Sequence, residues 1–257
     1  MSPPDRPADT IRIMSWNIHG TIGRGRKANR QRTLEEIGRI RPDILVLQEV
    51  DERTRLGRPA GAFDFFRAGL TERLLAEGHD PSDHAVDVRT GGRRDCECGN
   101  LLWSRFPVRA SRIIPLPGPD IERRKVIEVE LHTGSAPLRI LGTHFALLPT
   151  TRLKQARTVR DRIVGAPSGS CAGKVPTPTI VLGDLNEWTP RGWVHAVLSE
   201  HLPNVVAPKT WPERFAIAPL DRLYASREIE IVASHADARA GQASDHRPIV
   251  VDFRIGP

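Results

Sequence analysis

The stretches Ile44-Leu45-Val46-Leu47 and Ile180-Val181-Leu182 are apolar at every position and short. A strand apolar on both faces needs cover on both, so these runs predict sheets enclosed between other layers. Each run then breaks off into polar residues: Gln48-Glu49 after the first, Gly183-Asp184-Leu185-Asn186 after the second. In extended chain Asp184 and Asn186 point the same way. Both residue types also suit turns, so alone this pair reads as an ordinary strand exit.

The remaining elements follow from periodicity. Residues 11–16 alternate apolar and polar and run into the turn Asn17-Ile18-His19-Gly20. Leu34, Ile37 and Ile40 are spaced for a helix over 28–40, stopped before Pro42. Residues 43–50 form a buried strand, and 51–82 hold a loop and one helix. Strands are expected over 100–108, 125–131 and 138–145. An amphipathic helix over 151–164 carries Leu153, Ala156, Val159 and Ile163 on one side. A Gly/Pro/Ser-rich surface loop over 165–178 leads into the strand at 179–182. A helix within 191–202 and strands at 220–225, 228–233 and 247–253 complete the chain. Strands with helices between them predict an α/β fold, a two-sheet β-sandwich with the sheets face to face under outer helices. With 257 residues and neither a linker nor a repeat, one domain over 11–257 is expected, after a flexible segment 1–10.

Composition narrows the function classes. No apolar run approaches membrane-spanning length, which excludes a transmembrane helix. The polar, proline-rich start lacks a secretory pattern, so the cytoplasm is the expected compartment. Cys96, Cys98 and Cys171 match neither a disulfide framework nor a four-ligand zinc site, and reduced thiols are expected. A thiol enzyme built on Cys96 or Cys98 has no matching site in the sequence. Lys and Arg outnumber Asp and Glu by 38 to 31, with a dense basic patch over 23–41. That surplus suits nucleic acid, phosphorylated metabolites or anionic lipid head groups, or equally a solvated helix face.

Asp184 and Asn186 then acquire company. Asn17, Glu49 and His144 also stand where strands end, Asp221 opens a strand, and Ser244-Asp245-His246 precedes the last one. Turn chemistry explains neither Glu49 nor His144. If two sheets pack face to face, these ends converge on one rim, where crowded carboxylates repel each other without a cation. Oxygens from Asn17, Glu49, Asp184, Asn186 and Asp245 are hard ligands, suited to Mg²⁺ or Mn²⁺. Two histidines can serve phosphate oxygens, with Asp221 a natural orienting partner for His246. Together they describe a metal-assisted phosphoester hydrolase.

In order along 11–254, the chain carries SWNIHG, LQEV, GNLLWSRFPV, GTHF, GDLN, LDRLYAS and SDHRPIV. This ordered set resembles the endonuclease/exonuclease/phosphatase superfamily, and GDLNEW followed by TWP and LDRLY is similar to an uncharacterised bacterial subgroup of it. The resemblance implies a four-layer α/β/β/α deoxyribonuclease I-like fold and divalent-metal-dependent hydrolysis of a phosphodiester or phosphomonoester. It implies that Asp184 positions or deprotonates water and that Asn186 holds phosphate or metal. Glu49 becomes the principal metal ligand, with Asn17 and Asp245 near the ion. His246, paired with Asp221, stabilises the pentacovalent phosphate, and His144 is a second phosphate-binding residue. Asn100, Thr210 and Arg124 match positions near the phosphate, with Arg123 as a further clamp. Glu97 is the nearest acidic candidate to pair with His144, in a neighbourhood that departs from the family pattern. Trp188, Trp193 and Trp211 suit a base, a lipid or plain packing. Nucleic acid, phospholipid and small phosphodiesters all remain open as substrates. The alternative is a catalytically silent module that binds nucleic acid or anionic membrane.

Overall fold

The structure, a computed structural model, describes residues 6–25, 27–78, 83–89, 98–119, 123–134, 136–165 and 177–256. Twelve strands among them form two six-stranded sheets. The first contains β1 (Ile11–Asn17), β2 (Ile44–Asp51), β3 (Ala85–Arg89), β4 (Cys98–Ser104), β11 (Ile229–Ala236) and β12 (Ile249–Ile255), in the order β11-β12-β1-β2-β4-β3. The second contains β5 (Val108–Pro115), β6 (Lys125–His132), β7 (Pro137–His144), β8 (Thr179–Asp184), β9 (Asn204–Val206) and β10 (Asp221–Ala225), in the order β5-β6-β7-β8-β10-β9. Each sheet has one parallel pair at its centre, β1–β2 and β7–β8. A helix crosses over between the strands of each pair: α1 (Arg30–Ile40) in the first and α3 (Pro149–Val164) in the second. The helices α2 (Ala62–Ala76) and α4 (Trp193–Ser199) complete the outer layers.

Alternation along the central strands builds three apolar layers. Ile13, Ile44, Val46, Leu102, Ile140, Ile180, Leu182 and Leu223 fill the space between the sheets. On the far face of the first sheet, Met14, Trp16, Leu45 and Leu47 meet Ile37 and Ile40 of α1 and Phe63 and Phe66 of α2. On the far face of the second, Leu141, Val181 and Tyr224 meet Ala156 and Val159 of α3 and Leu198 of α4. The expected four layers are therefore present, and the wholly apolar strands are those buried on both faces. Asn29 caps α1 through Arg32 N–H, and Arg41 ends it in a left-handed conformation before Pro42.

Several boundaries differ from the sequence reading. The strand expected over 100–108 is two strands, because Ser104 accepts a bond from Phe106 N–H and Pro107 interrupts the ladder before β5. The short β3 and β9 had no periodic signal long enough to reveal them. The strand expected over 43–50 spans Ile44–Asp51, so Glu49 lies within it and not after it. Residues 6–10 are anchored: Arg6 pairs with Asp43, and Thr10 is buried. Most of the Gly/Pro/Ser-rich loop lies outside the described residues.

Two glycines set how closely strands approach near the end of the sandwich. A Cβ at Gly142 would lie 2.7 Å from Val46 of the opposite sheet. At Gly183, with φ of 147°, an added Cβ would collide with the Thr143 carbonyl of the parallel neighbour. Gly183→Ala is expected to cost about 3 kcal/mol of stability, the scale of overpacking plus a strained backbone. Urea denaturation measures it. An unchanged midpoint would mean that β7 and β8 are seated less tightly than described.

Candidate active site

The alternation that builds the core also aims the strand ends. On β1 the inward series Ile13, Ser15 continues to Asn17; on β7, Ile140 and Gly142 lead to His144; on β8, Ile180 and Leu182 lead to Asp184. On the antiparallel β10, Leu223 leads back to Asp221. His144 and Asp221 are the register partners of Asp184 on either side. A hydrogen bond of 3.0 Å from Asn17 Nδ2 to Asp184 Oδ2 joins the two sheets at this mouth.

Glu49 arrives by another route. Leu47 pairs with Leu101 and Val50 with Gly99, so three residue steps on β2 meet two on β4. That is a β-bulge, and Glu49 sits in it with φ of 53°. The bulge leaves Glu49 Oε1 accepting from Asn17 Nδ2 at 3.0 Å. Asn17 thus bridges Glu49 and Asp184 through its amide nitrogen, while its oxygen accepts from His19 N–H at 3.0 Å. Asn100 lies on β4 across from the bulge, and its buried Nδ2 has no hydrogen-bond partner among the described residues.

Asp184 is the hub. Its Oδ1 accepts from Asn186 N–H at 2.9 Å, and Asn186 Nδ2 donates to the Phe145 carbonyl at 2.9 Å, which ties the segment after β8 to the one after β7. His144 Nε2 and His246 Nε2 stand 3.5 Å and 3.8 Å from Asp184 Oδ2. Burial, then the charge of Asp221, pushes the Asp184 carboxyl up to about 6, against the pull of His246 and the bonds from Asn17 and Asn186.

The two histidines are driven in opposite directions. Burial and then the Arg124 guanidinium hold His144 well below its ordinary value. Arg124 Nη1 donates to His144 Nδ1 at 2.8 Å, so the proton of the neutral ring sits on Nε2, towards Asp184. For His246 burial also acts downward, but the charge and hydrogen bond of Asp221 outweigh it, with help from Asp184 and Asp245, and lift the ring to about 10. Its Nδ1 is 2.8 Å from Asp221 Oδ2, which also accepts from Thr210 Oγ1 at 2.5 Å. Trp16 Nε1 holds the His246 carbonyl at 3.0 Å.

His19 completes the mouth, and the sequence reading had taken it only as part of a turn. Its Nδ1 is 3.5 Å from Glu49 Oε2 and 3.7 Å from Asp245 Oδ1. The hydrogen bond to Glu49 raises its value, against burial, and Asp245 adds to the effect. Glu49 in turn is held well below the usual carboxylate range: burial opposes this, and His19, His144 and Asn17 outweigh it. Two carboxylates that both approach the His19 ring, with hard oxygens and partial exposure, fit a divalent ion of the Mg²⁺ or Mn²⁺ type. Asp184, Asp221 and His246 also have ligand atoms within 4.8 Å of one another. That group fits an ion less well, because Asp221 and His246 are buried and committed to each other.

Other candidates fall outside this cluster. Four arginines of the basic segment have partners within the fold: Arg24 meets Glu213, Arg30 lies over the Phe65 ring, Arg32 meets Gln242, and Arg39 meets Glu36 and Asp237. Burial pushes the Cys98 thiol up to about 12, with Asp51 and Glu49 adding to it, so Cys98 offers no reactive thiolate. Asp95, Cys96, Glu97 and Cys171 lie outside the described residues. Trp188 packs edge-on against Trp211 at 5.2 Å, and Trp211 Nε1 reaches Asp245 Oδ2 at 3.4 Å.

Solved structures share this architecture. An endonuclease/exonuclease/phosphatase from Beutenbergia cavernae superposes with a TM-score of 0.72 at 23% identity, covering 98% of this chain and 72% of that one. The human Nocturnin catalytic domain with bound sulfate gives 0.69 at 19%, covering 98% and 99%. A mannosyl-6-phosphatase from Bacteroides thetaiotaomicron gives 0.66 at 14%, covering 95% and 100%. At these identities the likeness establishes the fold. No curated protein matches significantly. The sequence profile of the endonuclease/exonuclease/phosphatase family matches residues 14–246, nearly the whole chain, and the protein belongs to that family of phosphoester hydrolases.

Proposed function

We propose that the protein is a divalent-metal-dependent phosphoester hydrolase in which Asp184 acts on the attacking water. The observation that carries this reading is the convergence of His144 Nε2 and His246 Nε2, at 3.5 Å and 3.8 Å, on the same oxygen of Asp184, beside Glu49. A carboxylate near 6 is ionised at neutral pH yet basic enough to take a proton from water. His246, held charged by Asp221, would place positive charge against the developing phosphorane oxygens. His144, with its proton fixed on Nε2 by Arg124, would donate a hydrogen bond without adding charge. Asn186 and Thr210 keep Asp184 and Asp221 in place, and Asn17 orients Glu49 and Asp184 together. The unpartnered Asn100 amide is suited to a phosphate oxygen. Glu49, with Asp245 at the mouth, would hold the ion. When bound, such an ion neutralises and polarises the phosphoryl group.

A panel of chromogenic phosphodiester and phosphomonoester, plasmid DNA and phospholipid, with Mg²⁺, Mn²⁺ or EDTA, tests the reading. Asp184→Asn is expected to lower turnover by roughly a thousandfold or more while the fold survives, the scale of losing a general base. Unchanged turnover would remove Asp184 from the mechanism. No hydrolysis of any substrate by folded, metal-loaded protein would favour the silent binding module. Glu49→Gln is expected to weaken Mg²⁺ binding about tenfold or more by calorimetry, since a charged oxygen ligand is lost.

The Asp221–His246 pair also makes a prediction for metal-free protein. A folded-state value raised to about 10 means that the pair's stabilisation is complete below the free imidazole value, about 6.5, and is lost as pH rises through about 10. NMR titration of the imidazole reads it directly. In Asp221→Asn the midpoint is expected to fall towards the neutral range; a midpoint that stays high would assign the effect to another carboxylate.

A further inference from the structure

Three loops frame the mouth on the side of the second sheet. One follows His144 at the end of β7, one follows Asp184 at the end of β8, and one precedes Asp221 at the start of β10. They are contiguous: Arg152 of α3 donates to the Leu147 carbonyl, and its surroundings include the charges of Glu187 and Asp184. The Trp188–Trp211 contact joins the second loop to the third. Buried Arg222 fixes the second loop from below, through the carbonyls of Glu187, Thr189 and Pro190.

This rim concentrates exposed apolar surface. Of the ten large hydrophobic side chains exposed among the described residues, six belong to it: Leu147, Leu148, Trp188, Trp193, Phe215 and Ile217. Phe215 is 71% exposed and Ile217 64%, beyond what packing requires. Patches of this kind on a soluble face mark an interaction site. The charges exposed on the three loops and on the first turns of α3 have one sign. Lys154, Arg191, Lys209 and Arg214 are exposed, whereas the two carboxylates, Glu187 and Glu213, are buried among hydrogen bonds and an ion pair with Arg24.

We infer that this rim seats the protein on the surface of an anionic lipid bilayer, with the mouth of the site against the head groups. Aromatic rings and aliphatic tips would enter the head-group boundary, and the four cations would meet lipid phosphates. Exposed aliphatic side chains decide for lipid over nucleic acid, since Leu147, Leu148 and Ile217 offer a base nothing to stack on. Docking stands on the rim alone. Only the consequence, that the phosphoester reaching the site is that of a phospholipid, rests on the hydrolase reading above.

The test uses the full chain and two double variants, Leu147→Ser with Leu148→Ser and Phe215→Ser with Ile217→Ser, whose folds are checked by thermal unfolding. Co-sedimentation with vesicles of phosphatidylcholine, and of phosphatidylcholine with phosphatidylglycerol, measures partition. Tryptophan emission and its quenching by brominated lipid measure insertion. Expected are preferential binding to the anionic vesicles, quenching by brominated lipid, and at least a tenfold loss of partition in each folded variant. Hydrolysis of a water-soluble chromogenic phosphodiester should be unchanged in both variants, so that failure of docking and failure of catalysis are separable. Absence of partition, or partition indifferent to both variants, overturns the inference. So does a rim that instead mediates single-stranded DNA binding, or a solution dimer that both variants dissociate.

Discussion

The two sheets touch through alternate side chains of their central strands, and everything at the mouth depends on that contact. The inner series must be apolar to close the sandwich. The same two-residue period then dictates which way the last residue of each strand points. Asn17, His144, Asp184 and Asp221 stand on the inner series, so closing the core brings them together without any loop having to carry them. Gly142 and Gly183 sharpen the effect by removing side chains where backbone and opposite sheet come closest. Groups held at the ends of paired strands are positioned far more firmly than groups on surface loops.

Such positioning places charges where water would otherwise screen them, and the cluster answers with pairing. Asp221 Oδ2 is engaged by His246 and Thr210, while Asp184 is bonded by Asn17 and Asn186. Burial and then Arg124 hold His144 well below its ordinary value, which disfavours two imidazolium rings facing one another across Asp184. Glu49 and Asp245 lie at the more open side and gather His19. Asn17 bridges the buried side of the mouth, around Asp184, and its more open side, around Glu49.

Much of this was legible because the informative elements are long and regular. Strands apolar on both faces announce two covered sheets, and strand ends that carry Glu or His in place of turn residues announce a site. What escaped reading did so for physical reasons. The bulge that turns Glu49 inward depends on pairing between β2 and β4, which no local pattern encodes. The edge strands β3 and β9 are short, and Pro107 hides the start of β5 within an apparently continuous strand. The basic patch over 23–41 suited a polyanion grip and a solvated helix face equally, and several of its described arginines are tied to partners as distant in sequence as Glu213, Asp237 and Gln242.

The amino-acid sequence by itself determined the layer architecture, the strand order of the motifs and the inventory of ionisable groups, because alternation and apolar runs act through nearest neighbours. Only the tertiary structure decided which groups share an oxygen of Asp184, which histidine is charged, and that His19 joins Glu49 and Asp245. It also decided that six exposed apolar side chains, from three separate loops and the start of α4, face the same rim. Those outcomes turn on distances of three to four ångströms between residues as many as 230 positions apart, as Trp16 and His246 are, and such distances exist only after the sheets have closed.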